Sequence, residues 1–243
     1  MFKWFYVIFG SAFLISGLLA LLNGLSNGDR VAVVKYADSP TALLDFTPDK
    51  QAAVAAFGQL RFNLGFGSLN LSASVSKVLE WLASVQGKKT IVLLATGVDT
   101  SSSNESERVM QQLKVRDVRL LAVSLAGDLQ NPQPGNKKKS PATDSYKTAQ
   151  QFEQANQVLK RMAESTGGRA YFPASAKEFS SVYAEIAQLV RHEYSLAFAP
   201  PARDGLVHTI EVHVAAGQKL AANVAGSPYR VDHRQAYLAP PPR

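Results

Sequence analysis

A chain of 243 residues, 46% apolar and 19% charged, is long enough for one sizeable domain and too apolar to be disordered. It has no cysteine, which excludes disulfides, thiolate chemistry and Cys-based zinc sites. The net charge of +7 is scattered apart from Lys137-Lys138-Lys139, with no basic stripe interleaved with aromatics, so nucleic acid is not an expected partner.

Trp4 to Leu22 contains no charged residue, and none follows Lys3 until Asp29. An uncharged apolar run of about 18 or more residues can span a bilayer. Aromatic residues crowd its start and Lys3 lies beside the free amine, the pattern of an anchor with its N-terminus inside. The leading expectation is therefore a cell-membrane protein, single-pass, with everything after Asp29 outside the cytoplasm. A secreted or periplasmic location is the alternative. The same letters allow another reading: Phe5 to Phe9 is β-branched and aromatic enough for a strand, with Gly10-Ser11 turning into a short helix.

Beyond Gly28, short apolar runs alternate with amphipathic stretches, the signature of an α/β sheet. Strands are predicted over 30–37 and 41–46, with Asp38-Ser39-Pro40 as the turn between them. Thr47-Pro48 reads as an N-cap and first helical position, opening a helix to about Leu60. A glycine-bearing loop over 63–70 leads to a helix over 71–84. The buried run 90–95 is a parallel strand ending at Thr96, followed by a helix over 104–114 and a strand over 119–125. Residues 127–145 form a Pro/Gly-rich loop, and a helix over 147–165 ends at Thr166-Gly167-Gly168, where glycine suits a left-handed cap. A strand over 169–172 and a helix over 176–192 complete this part. After them, 193–198, 207–214 and 220–224 alternate like antiparallel strands, with Asp204-Gly205 as a hairpin signal. The fold class is α/β: a doubly wound, mostly parallel sheet with helices on both faces, plus a small C-terminal antiparallel β extension. The expected divisions are 1–28 (hydrophobic segment), 29–192 (α/β domain), 193–233 (β extension) and 234–243 (Pro-rich tail).

Five segments in order, Gly28 to Val34, Gly67 to Ala73, Ile91 to Ser102, Leu159 to Phe172 and His192 to Pro200, together resemble the von Willebrand factor A superfamily and its bacterial branch, over roughly residues 28–230. The resemblance implies a metal-ion-dependent adhesion site at the carboxyl edge of the sheet. That site is built from an Asp-x-Ser-x-Ser run after the first strand, a threonine from a second loop and an aspartate from a third. Mg²⁺ requires hard oxygens in near-octahedral array. At the matching positions this chain has Phe9-Gly10-Ser11-Ala12-Phe13, Ser68 and Thr96. With no carboxylate among them, a degenerate site holding no metal and no other cofactor is expected. Asp99, three residues past Thr96, is expected to cap the following helix. In the family a helix precedes the Gly-Asp-Arg-Val segment, so residues 11–25 could be that core helix. If residues 4–25 are instead an anchor, the family's first strand and helix are missing and the chain is a shortened relative.

The functional reading is a non-enzymatic module of a bacterial cell envelope. It binds a protein partner without metal through Ser68, Asn70, Thr96, Asp99 and Thr100, and meets the membrane through its N-terminal helix. A relative without retained binding activity is the alternative, and a hydrolase using Asp99 as base is a lesser one. No catalytic residue is assigned. His208 and His213 are five residues apart on a predicted strand and so face opposite ways, as solvated positions. Gly87-Lys88-Lys89-Thr90 lacks the upstream glycine of a phosphate loop and precedes a predicted strand, not a helix.

Overall fold

The computed structural model describes residues 4–9, 15–36, 39–59, 69–125, 142–192, 196–213 and 232–242. Its centre is the apolar N-terminal run. Strand β1, Trp4–Phe9, pairs in parallel with β2, Arg30–Tyr36, on one side and with β4, Lys88–Ala95, on the other. β5, Arg119–Ser124, and the short β6, Ala170–Tyr171, continue the parallel array beyond β4. β3, Pro40–Thr47, lies antiparallel to β2, giving the order β3-β2-β1-β4-β5-β6.

The helices divide between the two faces, as the strands' two-residue period requires. On one face α1, Ile15–Gly24, α2, Lys50–Gly58, and α6, Ala176–Arg191, enclose a core with Leu21, Leu22, Phe57, Val92, Leu94, Phe179, Tyr183 and Ile186. On the other, α3, Leu71–Leu82, α4, Ser103–Val115, and α5, Ala142–Ser165, close over Ile91, Leu93, Leu120 and Ala122.

This arrangement corrects the membrane-anchor expectation. β1 occupies the place the shortened-chain reading left empty, so a first strand and a first helix are present, and residues 4–9 and 15–24 belong with the sheet and its core. Among the described residues no helix is long and apolar enough to cross a membrane. A strand flanked by strands on both sides, followed at once by a helix buried in the same core, is apolar almost throughout, which is why the two elements read as one span.

The packing of α1 shows that it belongs there. Leu21 and Leu22 are each 1% exposed, and burying a leucine is worth about 1.5–3 kcal/mol. A Cβ on Gly24 would lie 2.6 Å from the Cβ of Ala187, so the glycine lets α1 approach α6 closely. The last carbonyls of α1 meet cations. Arg191 donates to the oxygens of Gly24 and Asn23, and Lys50 Nζ donates to Leu25 at 2.7 Å. Positive charge there complements the helix dipole.

Smaller expectations also shift. Asp49, not Thr47, caps α2: its carboxylate accepts from the amides of Gln51 and Ala52, while Thr47 Oγ1 accepts from Asp49 N. At the C-terminus, β7, Val207–Thr209, pairs with β8, Ala236–Leu238, which lies in the segment read as a tail. Gly205 N donates to Pro240 O, so the Asp204-Gly205 turn packs against that segment, and the described residues 196–198 form no strand. Arg169 pairs with Asp232 and Arg234 donates to Val115 O, which fastens that tail to the main domain. His208 is not simply solvated. It bonds the Asp204 carboxylate at 3.0 Å and stacks on Tyr237. The expectations for residues 193–195 and 220–224, and for the loop up to residue 141, Lys137 to Lys139 included, lie outside the described residues, and α5 already begins at Ala142, inside the stretch expected as loop.

Candidate functional site

In an open α/β sheet, ligands bind beyond the carboxyl ends of the strands where the winding reverses. Here the chain passes from β1 to β2 on one side and later to β4 on the other, so that point lies between β1 and β4. Thr96, the first residue after β4, stands at this edge and is half-buried. Of the other expected site residues, Asn70, Asp99 and Thr100 are brought together close by. Ser68 and residues 10–14 are outside the described residues.

The local sequence explains the turn after Thr96. Gly97 takes φ +78° with its backbone against α5, where a Cβ would come within 2.4 Å of Ala155 O. No other residue type fits both the conformation and the approach. The chain then turns into α4, which Ser102 caps. The Ser102 hydroxyl accepts from Glu105 N at 3.3 Å, and the Glu105 carboxylate accepts from Ser102 N at 3.0 Å. These bonds hold the Glu105 carboxyl below its ordinary range, the amide of Ser102 contributing most. With Ser102 in that role, Asp99 does not cap the following helix as expected.

Asp99 instead reaches back to the preceding helix. Its Oδ2 accepts from Ser72 N at 3.1 Å and from the Ser72 hydroxyl, and its Oδ1 accepts from Ser101 N at 2.9 Å. Ser72 stands in the first turn of α3, whose N-cap residue Asn70 makes no side-chain cap bond. The neighbouring bonds join the same two segments. Thr100 N donates to Leu69 O at 2.9 Å, Leu69 N donates to Thr100 Oγ1 at 2.9 Å, and Thr100 Oγ1 donates to Asn70 Oδ1 at 3.1 Å. Ala73 N donates to Ser101 Oγ at 3.3 Å.

Two further residues of this edge escaped the sequence reading. Tyr36 ends β2, and burial followed by the nearby Asp99 charge pushes its phenol well above the ordinary tyrosine range. Ser124 ends β5 and its hydroxyl donates to Asn156 Oδ1 of α5 at 2.9 Å. Their signal was positional: each is the last residue of a strand whose carboxyl end lies here.

The described donors do not fit a divalent cation. Among the described residues, Asp99 has both oxygens turned onto amides and a hydroxyl, Glu105 caps α4, and the residue that follows β4 at the switch point is the neutral Thr96. Among the described residues no three His, Asp or Glu side chains converge. An ion such as Mg²⁺ gives up water reluctantly and needs anionic oxygens to hold it.

A family profile described as "von Willebrand factor type A domain" matches residues 13–185. Among solved structures, a von Willebrand factor type A protein from Catenulispora acidiphila is similar, with TM-score 0.53 and 14% identity, covering 76% of this chain and 41% of that one. This chain thus spans about two fifths of that protein's length. An aerotolerance-related membrane protein from Bacteroides fragilis has TM-score 0.51 and 11% identity, with 79% of this chain and 100% of that one covered. The conserved hypothetical protein BatB from Bacteroides thetaiotaomicron gives 0.50 and 9%, with the same coverage. No curated protein matches by sequence. At these identities the structural likeness speaks to the fold.

Proposed function

The chain belongs to the von Willebrand factor type A family, and from that premise we propose that it is a protein-interaction module that binds its partner without a metal ion and catalyses no reaction. The observation that carries the reading is the use made of Asp99. It is turned inward onto Ser72 and Ser101, and Thr96 stands where the family resemblance calls for an aspartate. Partner recognition then runs through neutral hydrogen bonding by the loops of Asn70, Thr96 and Thr100; Ser68, outside the described residues, enters the proposal on the family resemblance alone.

A hydrolytic role finds little support. General base catalysis needs a base within reach of an accessible nucleophile. The hydroxyl beside Asp99 is that of Ser72, which is 0% exposed. The described histidines lie elsewhere: His192 follows α6, His208 and His213 belong to the β7 segment, and His233 precedes β8. The expectation of a bacterial envelope setting is kept as part of the proposal. Its support is the membrane protein from Bacteroides fragilis with a similar fold, and residues 4–9 and 15–24 no longer argue for it, being part of the sheet and its core.

Thermal unfolding in Mg²⁺ and in EDTA tests the metal-free reading. A site with a dissociation constant one hundredth of the free Mg²⁺ concentration would add about 2.7 kcal/mol. For a domain of this size that is roughly 5–10 °C in Tm. The expected difference is within error; a rise of that size in Mg²⁺ sinks the reading.

A further inference from the structure

We infer that Asp99 is an internal clamp, a positioning residue that fastens the turn 98–102 to the segment 69–73 so that the two move as one unit without a shared cation. As a statement about recognition it rests on the metal-free reading above; as a statement about geometry it stands on the bonds themselves.

Three features carry it. First, the bonds are long-range and convergent. Ser72 and Ala73, in the first turn of α3, find their acceptors in Asp99 and Ser101, 27 and 28 residues downstream. First-turn amides of a helix have no partner within it, and Asn70 supplies none through a cap bond. Second, the charge is correctly placed: a carboxylate at a helix N-terminus faces the positive end of the dipole and forms charge-assisted hydrogen bonds. Third, the two oxygens divide the work. Oδ1 shapes its own turn through Ser101 N, while Oδ2 crosses to Ser72. Thr100 repeats the pattern beside it, accepting from Leu69 N and donating to Asn70.

This division makes the substitutions informative. In Asp99→Asn, the amide oxygen can keep the turn at Ser101, but the NH₂ then faces the Ser72 amide, donor against donor. Asp99→Ala loses both sides. Ser72→Ala removes the hydroxyl, with its contacts to Asp99 and to Ser106 Oγ at 3.3 Å, and keeps the amide bond.

The experiment is residue-resolved amide hydrogen exchange on the full chain at neutral pH. Asp99→Asn should speed exchange at Ser72 by about tenfold or more, as loss of one charge-assisted bond implies, with Ser101 little changed. Asp99→Ala should speed both. Ser72→Ala should fall between wild type and Asp99→Asn at position 72. Amides inside β4 and β5 should not move in any variant. Unchanged exchange at Ser72 in folded Asp99→Asn overturns the clamp, and should Asp99→Ala fail to fold, the Asn and Ser72→Ala variants decide alone. A separate arm adds Mg²⁺ to the wild type. Slower exchange over 69–73 and 96–101 in Mg²⁺ defeats the metal-free reading whatever the variants do, whereas an unaffected Asp99→Asn defeats the clamp and leaves that reading standing.

Discussion

The two ends of the sheet are tied by charge in opposite senses. At the amino edge, Arg191 and Lys50 donate to the last carbonyls of α1, so cations meet the negative end of a helix. At the carboxyl edge, Asp99 accepts from the first turn of α3, so an anion meets the positive end of another. Both ties join segments far apart in sequence. They differ in what they leave behind: the first closes a joint around the N-terminal element, whereas the second turns the Asp99 carboxylate inward, away from the edge. This chain builds its carboxyl edge as it builds a structural joint, from internal bonds.

The amino-edge joint is where substitution should do most damage. Leu22→Ala removes a fully buried side chain next to that joint and should cost about 2–5 kcal/mol. That corresponds to roughly 5–15 °C in Tm by calorimetry. A segment outside the core would show almost no change, so a shift under a degree would return residues 15–24 to a role outside the domain. Asp99→Ala comes next. It deprives two amides and a hydroxyl of their acceptor, about 1–3 kcal/mol by denaturant titration. If it proved neutral, the carboxyl edge would not be a joint at all. Arg191→Ala should cost about 1 kcal/mol, since the guanidinium is largely exposed.

The smallest effect is expected at Glu105, whose carboxyl is held below its ordinary range. A depressed folded-state pKa means that its contribution is fully present above the ordinary glutamate value and disappears as pH falls through the folded one. The Tm difference between wild type and Glu105→Gln should therefore be present at neutral pH and vanish in acid. A difference that persisted at pH 2 would mean that the carboxylate charge has no part in capping α4.

How much of this was legible in the letters depends on how local the cause is. The parallel strands 90–95 and 119–125 could be read directly, because strands covered on both faces are continuous apolar runs. The helix boundaries fell within a few residues for the same reason of period. The N-terminal segment misled because a central strand and a buried helix together match a membrane span in length and composition, and nothing local separates them. Asp99 was placed in the right loop but given the wrong helix. Ser102 and Glu105 offer the following helix a complete capping box, and Ser72, the true partner, is far away in sequence. β8 was hidden in a proline-rich tail because its pairing with β7 covers only three residues.

The central claim is that the carboxyl edge is held together from within and not by a cation. Paramagnetic broadening by Mn²⁺, followed on the backbone amides of the full chain, tests it most directly. The expected result is no selective broadening at Thr96 to Ser101 or at Asn70 to Ala73 as Mn²⁺ is added. Broadening centred on those residues at low Mn²⁺ and reversed by excess Mg²⁺ would contradict it.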